Sequence, residues 1–114
     1  GPQGHLRQMN MDMLHRISDT LLERRKADPE TSYTAQLLAK GPDSILKKIG
    51  EECAELIMAG KEGNRLHVVW ESADVLYHTM VLLAFYGLTI EDVLQEMRRR
   101  EGISGIDEKK SRKS

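Results

Sequence analysis

Apolar residues recur along the chain at helical intervals, and no stretch alternates apolar and polar residues with the period of a strand. From Met9 to Lys26, Leu14, Ile17, Leu21 and Leu22 form the stripe of an amphipathic helix, which Asp28-Pro29 ends. Ser32 to Leu38 predicts a short helix capped by Thr31 or Ser32 and closed by Gly41-Pro42. A second long helix is expected from Asp43 or Ser44, with Ile45, Leu46, Ile49, Cys53, Leu56 and Ile57 as its apolar stripe and Gly60 as its C-cap. Gly50 inside it costs about 1 kcal/mol relative to Ala, which implies close packing at that point. Asn64 is placed to cap a third long helix, Arg65 to Tyr86, that Gly87 stops. Thr89 and Asp92 then form the capping box of a last helix, buried through Ile90, Val93, Leu94 and Met97. The expected fold is all-α, a bundle of four to five helices.

From Val75 onward the third long helix is apolar almost all the way round, so other helices should surround it. A chain of 114 residues has too few to do so, which implies that a homodimer completes the bundle. The length allows one domain. Residues 1–8 are expected to be a leader foreign to the fold, since Gly1-Pro2-Gln3-Gly4-His5 looks like an expression-tag remnant. Residues 9–100 are the expected helical domain, and 101–114 a basic tail, rich in turn formers and mobile when alone.

Composition removes several classes of function. Charged residues make up 31% of the chain, yet the net charge is only -1, without the basic excess of nucleic-acid binders. Cys53 is the only cysteine, so no intrachain disulfide can form, which fits the cytoplasm. No apolar run approaches the roughly 20 residues that span a bilayer, and no membrane partner is expected. Nor does a glycine-rich phosphate loop follow a strand.

Candidate chemistry lies between Lys47 and His78. Glu52 and Glu55 are about 60° apart on one helix, as are Glu71 and Asp74 on the next, so each helix offers two oxygen ligands on one face. These carboxylates border apolar stripes, where unpaired negative charge is costly without a cation. All-oxygen ligation favours Mg²⁺, with Mn²⁺ as a substitute. A di-iron bundle would need Glu-x-x-His on two helices, but Met58 follows Glu55 and Asp74 follows Glu71. Glu51 reads either as a solvated surface residue or as a general base, and Lys48 with Glu52 as an i,i+4 pair. His78, one turn after Asp74, either orients that carboxylate or packs in the core. Cys53 reads as a small core residue, and Arg98-Arg99-Arg100 as helix C-terminal charge or a phosphate contact.

Glu51-Glu52-x-x-Glu55 followed by Glu71-x-x-Asp74 resembles the metal-binding signature of the MazG-like all-α nucleoside triphosphate pyrophosphohydrolases. Ser32-Tyr-Thr-Ala-x-Leu-Leu, Gly41 to Lys48 leading into Gly50-Glu-Glu, Ala59-Gly-Lys61, and Arg99-Arg-Glu-Gly102-x-Ser-Gly105 with Glu108-Lys109 are similar to the phosphoribosyl-ATP pyrophosphohydrolases of histidine biosynthesis. Cys53 and Gly60 depart from that pattern, standing where Ala is expected. The resemblance implies hydrolysis of N1-(5-phosphoribosyl)-ATP to the corresponding AMP and pyrophosphate by a Mg²⁺-dependent homodimer. It implies Glu52, Glu55, Glu71 and Asp74 as metal ligands and Glu51 and Glu52 as catalytic residues. Lys48, Lys61, Ser32, Thr34, Arg99, Arg100 and Lys109 are its implied substrate contacts. A house-cleaning nucleoside triphosphate pyrophosphohydrolase, and a non-catalytic dimerisation module, are the competing readings. The basic tail favours a substrate with an extra phosphate, and the acidic quartet disfavours a pure scaffold.

Overall fold

The computed structural model describes residues 1–113, with side chains through Arg112. Among them the chain forms six helices and no strand: α1 (Pro2–Arg24), α2 (Tyr33–Lys40), α3 (Pro42–Glu62), α4 (Arg65–Phe85), α5 (Ile90–Arg100) and α6 (Gly105–Lys113). The all-α expectation holds, with one helix more than the four to five expected.

Local chemistry accounts for most boundaries. Ser32 Oγ accepts the Ala35 N–H at 3.0 Å and starts α2. Asn64 Oδ1 accepts the His67 N–H at 3.1 Å and starts α4. The Thr89 N–H donates to Asp92 Oδ2 at 2.9 Å, and the Ile90 N–H donates to the buried Ser18 Oγ at 2.9 Å, tying the start of α5 to α1. The expected C-cap at Gly60 is corrected: α3 continues through it to Glu62, and Gly63, at φ 73°, takes the left-handed position. The Gly63 and Asn64 N–H groups bond the Ala59 carbonyl, closing the helix.

Two extents also differ from the apolar pattern. Helix α1 begins at Pro2 rather than Met9, because a helix needs no buried face in its first turns and residues 2–13 are all exposed. Helix α6 lacks an apolar stripe; among its described side chains only Glu108 is buried, held in ion pairs by Arg99, Arg100 and Arg112. Charge rather than apolar periodicity fastens it.

The core gathers Leu21, Leu37, Leu38, Ile45, Val81 and Ile90, with Met80 and Ala84 beside them. Helices α3 and α4 form its centre. The inward line of α3 is Ile45, Ile49, Glu52, Leu56 and Ala59, spaced 4, 3, 4, 3 as in a coiled-coil seam. Its counterpart on α4 runs through Glu71, Val75, His78, Leu82 and Phe85 with the same spacing. The expected stripe is thus corrected at Leu46 and Ile57, both exposed, whereas Glu52 occupies an inward position. Met97 is likewise exposed on α5. Nothing lies within contact of a Cβ built on Gly50, so the expected close packing is absent there and its glycine has no structural account.

Within one chain α4 remains partly bare, but mostly before Val75: from Val75 to Phe85 only Leu76 is exposed, so a single chain covers most of the segment expected to need a partner. Leu66, Val69, Trp70 and Leu76 on α4, with Ile57 and Met58 on α3, are exposed, Ile57 to 71%. Against the expectation, α4 is by length and composition long and apolar enough to cross a membrane. Its acidic pair and buried His78 lie within that span, and the same bare apolar face gives the helix its high hydropathy.

Candidate active site

The tight Gly63-Asn64 turn sends α4 back along α3, so the two acidic pairs face one another across the seam. Glu52 is only 6% exposed. Its Oε1 lies 3.8 Å from Lys48 Nζ and its Oε2 lies 2.8 Å from His78 Nδ1. Glu71 is half-buried, while Glu55 and Asp74 are exposed at the rim of the seam. Burial first, then a hydrogen bond with Glu55 and the charges of Glu55, Asp74 and Glu52, push the Glu71 carboxyl above its ordinary value. The four carboxylates therefore occupy one electrostatic neighbourhood.

That neighbourhood suits a hard divalent cation. Oε2 of Glu52 and Oε2 of Glu71 are both buried without a hydrogen-bond partner, leaving acceptor capacity directed into the protein. An all-oxygen donor set of this charge matches Mg²⁺ better than a softer metal. Among the described residues no three acidic, histidine or cysteine side chains already converge at ligating distance.

His78 carries information the sequence pattern blurred. Its Nδ1 hydrogen-bonds the backbone carbonyl of Asp74 at 3.1 Å. A carbonyl only accepts, so Nδ1 bears the proton. The same Nδ1 stands against Glu52 Oε2, out of line for a second hydrogen bond, while Nε2 is buried without a partner. His78 thus supports Glu52 across the seam rather than the Asp74 carboxylate. The heptad register of both helices was the available signal, since it puts residues 52 and 78 on inward lines.

The other implied contacts divide into groups. Lys48 stands beside Glu52, and exposed Lys61 lies in the last turn of α3. Ser32 caps α2, and Thr34 Oγ1 hydrogen-bonds Tyr77 OH at 2.7 Å, next in sequence to His78. Tyr33 meets the His78 ring edge-on, centroids 6.4 Å apart. Arg99 and Arg100 are engaged elsewhere, by Glu96 and the buried Glu108. Those arginines hold the Glu96 carboxyl down to about 2, and Glu96 and Glu108 raise the Arg99 guanidinium. Lys109 is exposed on α6, and Glu51 is exposed on α3 beside Glu52.

The Glu71 shift has a sign that can be measured. A carboxyl raised in the folded state contributes stability that is full below its unfolded value of 4.5 and is lost as pH rises through the raised folded value. The metal-free protein should therefore lose thermal stability as pH climbs above 4.5, and Glu71→Gln should flatten that decline. Thermal melts in chelator across this range check it; an equally steep decline in Glu71→Gln would assign the loss to other groups.

A family model for phosphoribosyl-ATP pyrophosphohydrolase matches residues 14–101, which include both acidic pairs, Arg99 and Arg100, but not Lys109. The chain is 77% identical over 101 residues to the phosphoribosyl-ATP pyrophosphatase of Dechloromonas aromatica (strain RCB), covering 89% of this chain and 94% of that protein. It is 58% identical over 106 residues to the same-named protein of Azoarcus sp. (strain BH72), covering 93% and 99%. With that of Chromobacterium violaceum it shares 57% over 105 residues, covering 92% and 97%. With a model matched over most of its length and relatives aligned nearly end to end, the chain belongs to the phosphoribosyl-ATP pyrophosphohydrolase family.

Proposed function

We propose that this chain hydrolyses N1-(5-phosphoribosyl)-ATP to N1-(5-phosphoribosyl)-AMP and pyrophosphate in histidine biosynthesis, with Mg²⁺ held by Glu52, Glu55, Glu71 and Asp74. The observation that carries this reading is the shared neighbourhood of four carboxylates between α3 and α4, in a member of this family. When bound, Mg²⁺, or Mn²⁺ in its place, neutralises phosphate charge and makes the α-phosphorus more electrophilic.

The chain's own residues supply the rest. Exposed Glu51, beside Glu52, takes the proton of the attacking water. The water oxygen bonds to the α-phosphorus, the α,β-bridging P–O bond breaks, and pyrophosphate leaves. Glu52, buried between Lys48 and His78, is held in one orientation, which keeps the ligand set in register. Lys48 and Lys61 meet phosphate oxygens, and Ser32 and Thr34 contact the substrate beyond the triphosphate. Arg99 and Arg100 join them by exchanging Glu96 and Glu108 for phosphate, with Lys109 following on α6. The decisive assay is pyrophosphate release from phosphoribosyl-ATP against ATP and dUTP. Preference for the first supports the reading, and equal or better use of the others overturns it.

The same reading includes a homodimer closed over the bare face of α3 and α4, because Ile57, Met58, Val69 and Trp70 form an apolar surface that a second copy would cover. Sedimentation at micromolar concentration should give twice the chain mass, and Val69→Glu should halve it. A stable, folded wild-type monomer under those conditions contradicts the dimer. The proposed compartment is the cytoplasm, in keeping with a single, half-buried cysteine.

A further inference from the structure

A second polar region adjoins the carboxylates. A cleft of about 430 Å³ lies between α1, the start of α2 and Tyr77 of α4, within the size range of small-ligand sites. Its polar lining is Arg16, Thr20, Arg24, Ser32, Thr34 and Tyr77, with no carboxylate, and Ile17 and Leu21 give it an apolar floor. Arg16, Thr20 and Arg24 are spaced i, i+4, i+8 along one face of α1. Among the described residues neither arginine has an ion-pair partner, whereas Arg99, Arg100 and Arg112 all do.

The hydroxyls add donors. Ser32 Oγ accepts from the Ala35 N–H, so its own proton is free to donate. Thr34 and Tyr77 share one hydrogen bond between two hydroxyls, which uses one proton and leaves the other. The N-terminal end of α2, with its positive dipole, points into the same region. Two fixed positive charges and several spare donors over an apolar floor describe a receptor for a sugar phosphate.

Position decides which phosphate. Tyr77 precedes His78, whose ring lies against Glu52, so the cleft borders the carboxylate seam without being part of it. We propose that this cleft binds the phosphate monoester on the second ribose of the substrate, with Arg16 and Arg24 as its counter-ions, and so selects phosphoribosyl-ATP over ordinary nucleoside triphosphates. The proposal rests on the functional reading above, and extends it to residues that the acidic motif does not include. An ordinary triphosphate places its three phosphates at the carboxylates and leaves the cleft without an anion.

The test compares two substrates and adds a direct binding probe. Preference for phosphoribosyl-ATP over ATP, as a ratio of kcat/KM, should fall about tenfold in Arg24→Gln and further in the Arg16→Gln/Arg24→Gln double variant. Arg24→Lys should recover part of the preference, and Arg7→Gln, on the exposed start of α1, should keep all of it. Ribose 5-phosphate titrated into the isotope-labelled wild-type protein should shift amide signals of 16–24 and 32–35, a measurement independent of whether any variant folds. Selectivity held within about twofold in folded double variant, or shifts confined to α3, α5 or α6, overturns the proposal. If the wild type shows no preference for phosphoribosyl-ATP, the functional reading fails, while the titration still judges the cleft.

Discussion

Replacing Glu52 by Gln is expected to lower pyrophosphate release from phosphoribosyl-ATP by about 10²- to 10³-fold while the helices remain folded. The amide keeps the shape of the side chain but removes one of the charges proposed to hold Mg²⁺. Glu52 is the buried member of the quartet, with Lys48 on one oxygen and His78 on the other. Glu55→Gln, Glu71→Gln and Asp74→Asn should produce losses of the same order. Calorimetric Mg²⁺ titration of each variant separates the causes, since a lost ligand weakens metal binding together with turnover. Glu51→Gln should differ: turnover falls while Mg²⁺ affinity stays near that of the wild type, the signature of a lost base. Full activity in any of the four ligand variants removes that residue from the metal set.

The second large effect belongs to His78. His78→Leu removes the imidazole that faces Glu52 and leaves a buried carboxylate beside an apolar side chain. Mg²⁺ affinity should fall about 10- to 100-fold, as for other groups that orient a ligand from behind. Stability should fall by about 1–3 kcal/mol, because the buried Glu52 carboxylate loses a polar neighbour and the Asp74 carbonyl loses its hydrogen bond to the ring. His78→Asn returns an amide N–H close to the Nδ1 position and should recover most of the metal affinity, which a residue that merely fills space would not. Equal Mg²⁺ affinity in wild type and His78→Leu would reduce the histidine to a packing role.

The sequence made the helices and their caps readable because each depends on neighbours in the chain. Ser32 and Asn64 each accept an N–H three residues on, and Asp92 accepts the Thr89 N–H three residues back, local acts that the chain spells out. The acidic pairs were equally legible, since i,i+3 spacing alone puts two carboxylates on one face. What the sequence hid depends on residues far apart. Glu52 looked like a rim residue until the register of α3 against α4 set it opposite His78. Helix α6 was unreadable from apolar periodicity because Glu108 docks on Arg99 and Arg100, not on an apolar surface. Gly60 was expected as the C-cap, whereas α3 runs on to Glu62 and Gly63 takes the positive φ; a glycine at either position can adopt it. The donors of the α1 cleft come from three helices, and no single motif joins them.

In the proposed reaction a carboxylate-bound metal directs cleavage to the α,β-phosphoanhydride of phosphoribosyl-ATP. Phosphorus NMR of that substrate, mixed with the wild-type chain and Mg²⁺ and then repeated in excess EDTA, tests it most directly. Signals of phosphoribosyl-AMP and inorganic pyrophosphate should appear in equal amounts, with no turnover in EDTA. Release of orthophosphate with phosphoribosyl-ADP, or undiminished turnover in EDTA, would contradict it.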